Sequence, residues 1–222
     1  MFSPLLSGAS LTERLIGCLG AIACLTLTVI LCAQVPFTPA DLPIVVASVG
    51  SSAVLVFAIP ASPLAQPWPV VGGNTVSALV GILVYKLVPD PALAAGLAVG
   101  LAILAMSLLR CLHPPGGASA LTAVIGSEAI HAAGWGFAIM PVAINATALV
   151  ALAVVFHRCS GRSYPHRPAP PPAGMPPGLH ASDIDAALAE MHESFDISRE
   201  DLDTLLSHAE RHAQVRARKG PR

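Results

Sequence analysis

The run His113-Pro114-Pro115-Gly116-Gly117-Ala118-Ser119 sets an imidazole, two residues without amide hydrogens, two without side chains and a hydroxyl inside a hydrocarbon-like sequence. Its chemistry is that of a small-anion site. Pro114 disfavours the helical region at His113 and so ends the preceding helix, whereas proline is tolerated at the start of a new one. The first free donors are then the amides of Gly116, Gly117 and Ala118, at the positive end of the new helix dipole and with no Cβ over the two glycines. His113, whose unperturbed pKa is about 6.5, would serve as a protonation switch. Its plainer role is a neutral ring bonding a carbonyl that the prolines set free. Arg110, one turn earlier, would add attraction at the mouth, or simply reach the headgroups.

Further polar groups stand in apolar runs at Ser51, Ser52, Asn74 and Asn145. An asparagine is costly in hydrocarbon unless it bonds across helices, so each is either a packing bridge or a pore-lining ligand. Gly72-Gly73 directly precedes Asn74 and permits close helix approach. Pro60, Pro63, Pro67 and Pro69 end one helix and delay the next. Between them Ser62 and Gln66 either fold back toward a pore mouth or sit in an interfacial turn anchored by Trp68.

The elements that position these groups are membrane helices. Apolar residues make up 54% of the chain and charged ones 11%, and residues 15–35, 70–88, 92–109 and 135–156 are each long enough to cross a bilayer. Charged outer faces, which stacked helices of a soluble core would need, are missing from all four. If the short runs 43–59 and 115–125 also cross, there are six segments, and Arg14, Arg110, Arg158 and Arg162 share one side with only Lys86 opposite. Four spans with two re-entrant segments would move Arg110 across, against the charge bias. The fold class expected is therefore all-α, a polytopic bundle of six segments, with both termini cytoplasmic and the protein in a bacterial inner membrane. Residues 15–35 are too long for a signal-peptide core and are followed by further spans, so they read as the first span.

A faint internal repeat supports that count. Ser51-Ser52-Ala53 resembles Ala118-Ser119-Ala120, and Asn74 precedes Tyr85 by the eleven residues that separate Asn145 from Phe156. Two halves of three crossings each would be inverted in the membrane, the arrangement in which sites form near the midplane from short or broken helices.

Cys18, Cys24, Cys32, Cys111 and Cys159 form no CxxC pair and have no histidines at metal spacing, so they read as small apolar side chains, with no metal and no cofactor expected. Spans without a deep acidic residue argue against a cation pump with a carboxylate relay. Glu128 and His131 read as solvated loop residues. The organisation expected is a membrane domain over 1–162, a proline-rich linker over 163–180 and a two-helix cytoplasmic tail over 181–222. In the tail, Ser182 and Ser198 each cap a helix with an aspartate three residues on. The calcium-loop pattern is missing there. Self-association or a membrane-surface contact through the basic end is the expected role of the tail.

The stretch from His113 to Leu121, together with Ser62-Pro63-Leu64-Ala65-Gln66-Pro67 and Val71-Gly72-Gly73-Asn74, resembles the HPP family of integral membrane proteins over roughly residues 10–160. The family is usually described with about four spans, fewer than the six expected. Plant chloroplast and cyanobacterial members are associated with nitrite transport, so the resemblance implies passage of a small anion, with Ser51, Ser52, Asn74, His113, Pro114, Pro115, Gly116, Gly117, Ala118, Ser119 and Asn145 as candidate substrate contacts. In longer relatives a helical connector like this tail leads into CBS domains; here none is expected. A helix dipole contributes about 0.3–2 kcal/mol and a hydrogen bond to an ion about 1.5–3, which makes a well modest enough to let an ion leave. The alternative reading is a non-transporting scaffold or sensor whose tail recruits a partner. An intramembrane hydrolase is not supported, since neither Ser51 nor Ser52 lies in a GxSxG elbow and no HExxH occurs. GxxxG-like spacing of Gly96 and Gly100 suits a homo-oligomer in the lipid bilayer; the near-zero net charge carries no message about nucleic acid, and no nucleic-acid partner is expected.

Overall fold

Among the described residues four helices are long and apolar enough to span a membrane: Leu11–Leu31, Pro69–Leu87, Pro91–Leu108 and Ala138–Cys159, with shorter apolar helices over Ala47–Ala58 and Gly116–Ile125. This computed structural model describes residues 11–32, 42–167, 181–191 and 196–219. In chain order the helices are α1 (Leu11–Cys32), α2 (Leu42–Ala58), α3 (Asn74–Leu87), α4 (Pro91–Leu108), α5 (Gly116–Ile125), α6 (Glu128–Ala133), α7 (Ile144–Cys159), α8 (Ala181–Met191) and α9 (Arg199–Lys219). No strand occurs among the described residues. The expected all-α bundle of six apolar segments, two of them short, is what forms.

Side-chain size is sorted the wrong way round for water. On α4 the i, i+4 stripe Ala94, Ala98, Ala102 and Met106 is buried, while Leu93, Leu97, Leu101 and Leu104 are exposed. Small residues inside let helices approach closely, and large aliphatic ones outside meet lipid tails. Asp90 caps α4 through Leu93 N at 2.7 Å, with Pro91 at the first helical position, where its missing amide costs nothing.

Neighbour contacts fix the direction of each segment. Phe57, near the end of α2, lies against Gly17 and Gly20 near the start of α1, and Phe156, near the end of α7, reaches Gly20 too. Trp68, after α2, donates its indole N–H to the Leu109 carbonyl at the end of α4 (3.2 Å). One end of the bundle thus carries the start of α1, the ends of α2, α4 and α7, and the start of α5. At the other end Tyr85 of α3 stacks on His131 of α6, with ring centroids 3.8 Å apart. Both short helices therefore run between the ends rather than turning back. Arg14, Arg110, Arg158 and Arg162 share the first end, where Arg162 Nη2 donates to the Glu13 carbonyl at 2.6 Å.

The repeat expected from sequence acquires physical content in the packing. With α1, α2, α3 matched to α4, α5, α7, the contact of α1 with α2 has its counterpart in α4 with α5, that of α2 with α7 in α5 with α3, and that of α1 with α7 in α4 with α3. The third helix of each half also opens on a π-helical segment, Pro69–Gly73 before Asn74 and Ala138–Ala143 before Asn145. Sequence reading missed both. Pro69 and Pro141 supply the cause, because a residue without an amide hydrogen breaks the α-ladder; in the second segment Met140 leaves helical geometry altogether (φ −125, ψ 107).

Two local expectations need correction. Glu128 and His131 are not in a solvated loop but in α6, which Ile130, 2% exposed, anchors while His131 Nε2 lies 3.2 Å from the Val124 carbonyl. Tyr164, expected in a linker, is 4% exposed because its hydroxyl donates to the Ala65 carbonyl at 2.9 Å. Residues 168–180 of that linker lie outside the described residues. Arg110 takes the left-handed conformation (φ 53) that closes α4, with Cys111 N bonded to Met106 O (2.9 Å) and Arg110 N to Ser107 O (3.2 Å).

The chain divides into two units, Met1–Pro165 and His166–Arg222. In the second, Ser198 caps α9 through Asp201 N (3.0 Å), and its hydroxyl donates to Asp201 Oδ2 (2.5 Å). His166 Nε2 lies 3.0 Å from Asp201 Oδ1, and Arg199 Nε donates to Asp185 Oδ1 at 2.6 Å. Ser182 does not cap α8 from outside; the helix already begins at Ala181.

Candidate functional site

The amides after the proline doublet are not free. Gly116 N bonds to His113 O (2.8 Å), Gly117 N to Pro114 O (3.0 Å) and Ala118 N to Pro115 O (3.0 Å). The prolines cannot donate, but their carbonyls accept, so the turn satisfies the helix start from within. The expectation of bare donors at Gly116, Gly117 and Ala118 is thus overturned.

The glycines serve packing instead. A Cβ on Gly116 would stand 2.7 Å from Ser77 Oγ and 3.0 Å from both Gly73 O and Met106 Sδ; one on Gly73 would stand 2.6 Å from Cys111 O and His113 Cβ. Gly81 lies directly against the backbone of Ala120. α3 and α5 thus meet backbone to backbone, which presses His113 into the bundle. At Gly117 the nearest atom to a Cβ, Val99 Cγ1, is 3.8 Å away, an ordinary contact.

His113 is fully buried and held at both ring nitrogens: Nδ1 lies 2.8 Å from the Leu64 carbonyl and Nε2 2.8 Å from Ser52 Oγ. A carbonyl only accepts, so Nδ1 carries a hydrogen, and in the neutral ring Nε2 offers its lone pair to the serine. The plainer reading of His113, a ring bonding a backbone carbonyl, is realised together with a second contact. From Ser52 a polar chain continues inward. Asn74 Nδ2 donates to Ser52 Oγ (3.2 Å) and to Val70 O (2.8 Å), Ser119 Oγ donates to Asn74 Oδ1 (2.8 Å), and Ser119 Oγ lies 3.2 Å from Ser48 Oγ. The chain therefore joins α2, α3 and α5 where the two short helices meet.

Beyond Ser48 and Ser119 lies a cavity of ≈ 10 Å³, room for the centre of a single water molecule. Ser48, Val49, Ser119, Thr122, Phe137, Val142 and Asn145 line it. Asn145 is 2% exposed and its Nδ2 has no partner. An unbonded buried amide costs about 1–3 kcal/mol, so Asn145 sets an unmet hydrogen-bond demand in a cavity whose wall is otherwise largely apolar.

Of the candidate contacts, His113, Ser52, Asn74, Ser119 and Asn145 converge on this chain and cavity. Pro115 and Gly116 are buried beside it, Gly117 and Ala118 are half-buried, and Pro114 is exposed. Ser51 is exposed and donates back to Ala47 O (3.2 Å) and Ser48 O (3.1 Å), so it faces away. Ser62 and Gln66 hold their own turn, with Gln66 Nε2 donating to Pro60 O and Ser62 O (2.9 and 2.8 Å). Sequence reading passed over Ser48 and Thr122. Helical spacing could have found both, since Ser48 is one turn before Ser52 and Thr122 one turn after Ser119.

Residues 7–165 match the family described as HPP, transmembrane region. The chain is similar to two transmembrane proteins of Dictyostelium discoideum. It is 38% identical to one over 131 residues, which is 57% of this chain and 46% of the relative, and 42% identical to the other over 123 residues, 53% and 39% respectively. It thus spans less than half the length of either. No solved structure matches.

Proposed function

Because the chain belongs to the HPP transmembrane family, we propose that this integral membrane protein carries a small inorganic anion, of the size and charge of nitrite, across the bilayer. The site is the cavity at Asn145, not the start of α5. One observation carries the reading: Asn145 Nδ2 is a buried amide donor without a partner, facing hydroxyl-bearing residues Ser48, Ser119 and Thr122 in the middle of an apolar bundle. The Ser119 and Thr122 hydroxyls already donate to Asn74 Oδ1 and Ala118 O, so the donor on offer is Asn145 Nδ2; a donor without a carboxylate nearby favours an anion over a cation, and its hydrogen bond to the ion contributes about 1.5–3 kcal/mol. The well stays shallow enough for release.

A cavity of this size holds water but not a triatomic ion, so binding requires the wall to widen. The π-helical break at Met140 lies beside Phe137 and Val142, two of the lining residues, and gives that wall its hinge. Arg14, Arg110, Arg158 and Arg162 at one end support a cytoplasmic assignment of that end by the positive-inside rule, and would draw anions to it.

Nitrite flux into proteoliposomes tests the reading. Wild-type protein should conduct, and Asn145→Leu should lower flux tenfold or more while the bundle stays folded. Flux no greater than in protein-free vesicles would defeat it.

A further inference from the structure

We propose a second anion position, formed by Ser52 and Asn74 and filled in this conformation by the imidazole of His113. It rests on the reading of the Asn145 cavity as an anion site and extends it through the symmetry of the fold. The two halves make matching contacts, run in opposite directions and each carry a π-helical segment leading into an asparagine. Ser119 of one short helix lines the Asn145 cavity, and Ser52 of the other receives a hydrogen bond from Asn74.

The two equivalent places differ in one respect. Beside Asn145 there is a cavity and an amide without a partner; beside Asn74 the amide is bonded and His113 Nε2 stands 2.8 Å from Ser52 Oγ. With Nδ1 donating to Leu64 O, the neutral ring presents a lone pair to the serine hydroxyl, whose hydrogen it contests with the Ser48 carbonyl 3.0 Å away, as an oxygen of a bound anion would. His113 is therefore a tethered substitute for the ion. Its withdrawal empties a position open toward the end of the bundle that carries Arg110, and the anion then passes between two related sites, Ser52–Asn74 and Ser119–Asn145. Inverted halves supply such pairs because either half can adopt the other's conformation.

Equilibrium binding of nitrite to the purified full chain in detergent tests this. Wild type should bind one nitrite, Asn145→Leu none, the double variant Asn145→Leu/His113→Val one again, and addition of Asn74→Leu none. If Asn145→Leu abolishes binding and His113→Val does not restore it, the second position is wrong while the Asn145 site stands. Unchanged binding in Asn145→Leu, or none in wild type, overturns both. A second measurement leaves His113 in place: in a chain with its native cysteines replaced, Ser52→Cys should react with methyl methanethiosulfonate and nitrite should slow the reaction. A thiol that never reacts, or reacts at a rate nitrite does not change, overturns the proposal independently.

Discussion

His113 Nε2 and Ser52 Oγ, 61 residues apart in the chain, meet at 2.8 Å with both side chains essentially free of solvent. The contact ties the turn after α4 to the middle of α2, and through Asn74 and Ser119 it ties both to α3 and α5. The proline doublet matters here because it ends α4 and turns the imidazole inward, not because it frees amides.

Removal of the imidazole leaves the Leu64 carbonyl short of a partner and opens a cavity, while Ser52 Oγ keeps the Ser48 carbonyl (3.0 Å) and the Asn74 amide (3.2 Å). His113→Ala should therefore cost about 2–4 kcal/mol, one buried carbonyl at about 1–3 together with the cavity the ring leaves, partly offset by water entering the gap. Thermal unfolding in detergent measures it. His113→Gln, which can donate to Leu64 O through its amide, should recover part of the loss.

The two glycines of the motif should respond differently to one methyl group. Gly116→Ala forces a Cβ against Ser77, Gly73 and Met106 and should cost about 1–3 kcal/mol, the usual range for overpacking. Gly117→Ala meets only Val99 at 3.8 Å and should be neutral or slightly stabilising, since alanine suits a helix better than glycine. Equal losses at the two positions would contradict the packing described for α3 and α5.

Burial pushes the Tyr164 hydroxyl well above its ordinary pKa, about 10, because the phenolate would lose hydration in its site. A group whose folded pKa is raised contributes its full stability below the unfolded value and loses it as pH rises. The Ala65–Tyr164 contact should therefore hold through neutral pH and weaken above about pH 10, where the unfolded tyrosine begins to ionise. Tyr164→Phe should abolish that alkaline transition in a pH series of thermal melts.

In the second unit, burial raises the Asp201 pKa, but the Ser198 hydroxyl and His166 outweigh it and hold the carboxyl below its usual value. A depressed folded pKa gives stability that is present above the unfolded value and lost as pH falls through the folded one. Hydrogen exchange at the start of α9, taken relative to the intrinsic rate at each pH, should accelerate below about pH 4. Ser198→Ala, which deletes the cap, should accelerate it at neutral pH as well, by the equivalent of about 1 kcal/mol.

Much of the fold was legible because hydrocarbon imposes it. The apolar runs that gave six segments are the helices found, within a few residues at each described end, and the Ser52/Ser119 and Asn74/Asn145 correspondences pointed to residues that converge. The site was legible in its members but not in its geometry. Pro114 and Pro115 were read for the donors they lack, whereas the carbonyls they keep decide the outcome by closing the turn on Gly117 and Ala118. The π-helical segments escaped because their cause at Pro141 is a single residue inside a run whose periodicity is otherwise helical.

Arg110 joins local strain to function. It is a left-handed residue with a Cβ where α4 closes, and glycine takes that conformation without the roughly 1–2 kcal/mol that an L side chain incurs. Arg110→Gly should thus be more stable than Arg110→Ala by about 1 kcal/mol, although both remove the same charge. If the arginine draws anions to its end of the bundle, both variants should lower nitrite flux equally, and the difference from wild type should shrink as salt is raised toward 1 M, where the screening length is about 3 Å. Equal stability of the two would mean that the turn relaxes around alanine. A flux deficit insensitive to salt would place Arg110 in contact with the ion rather than at a distance from it.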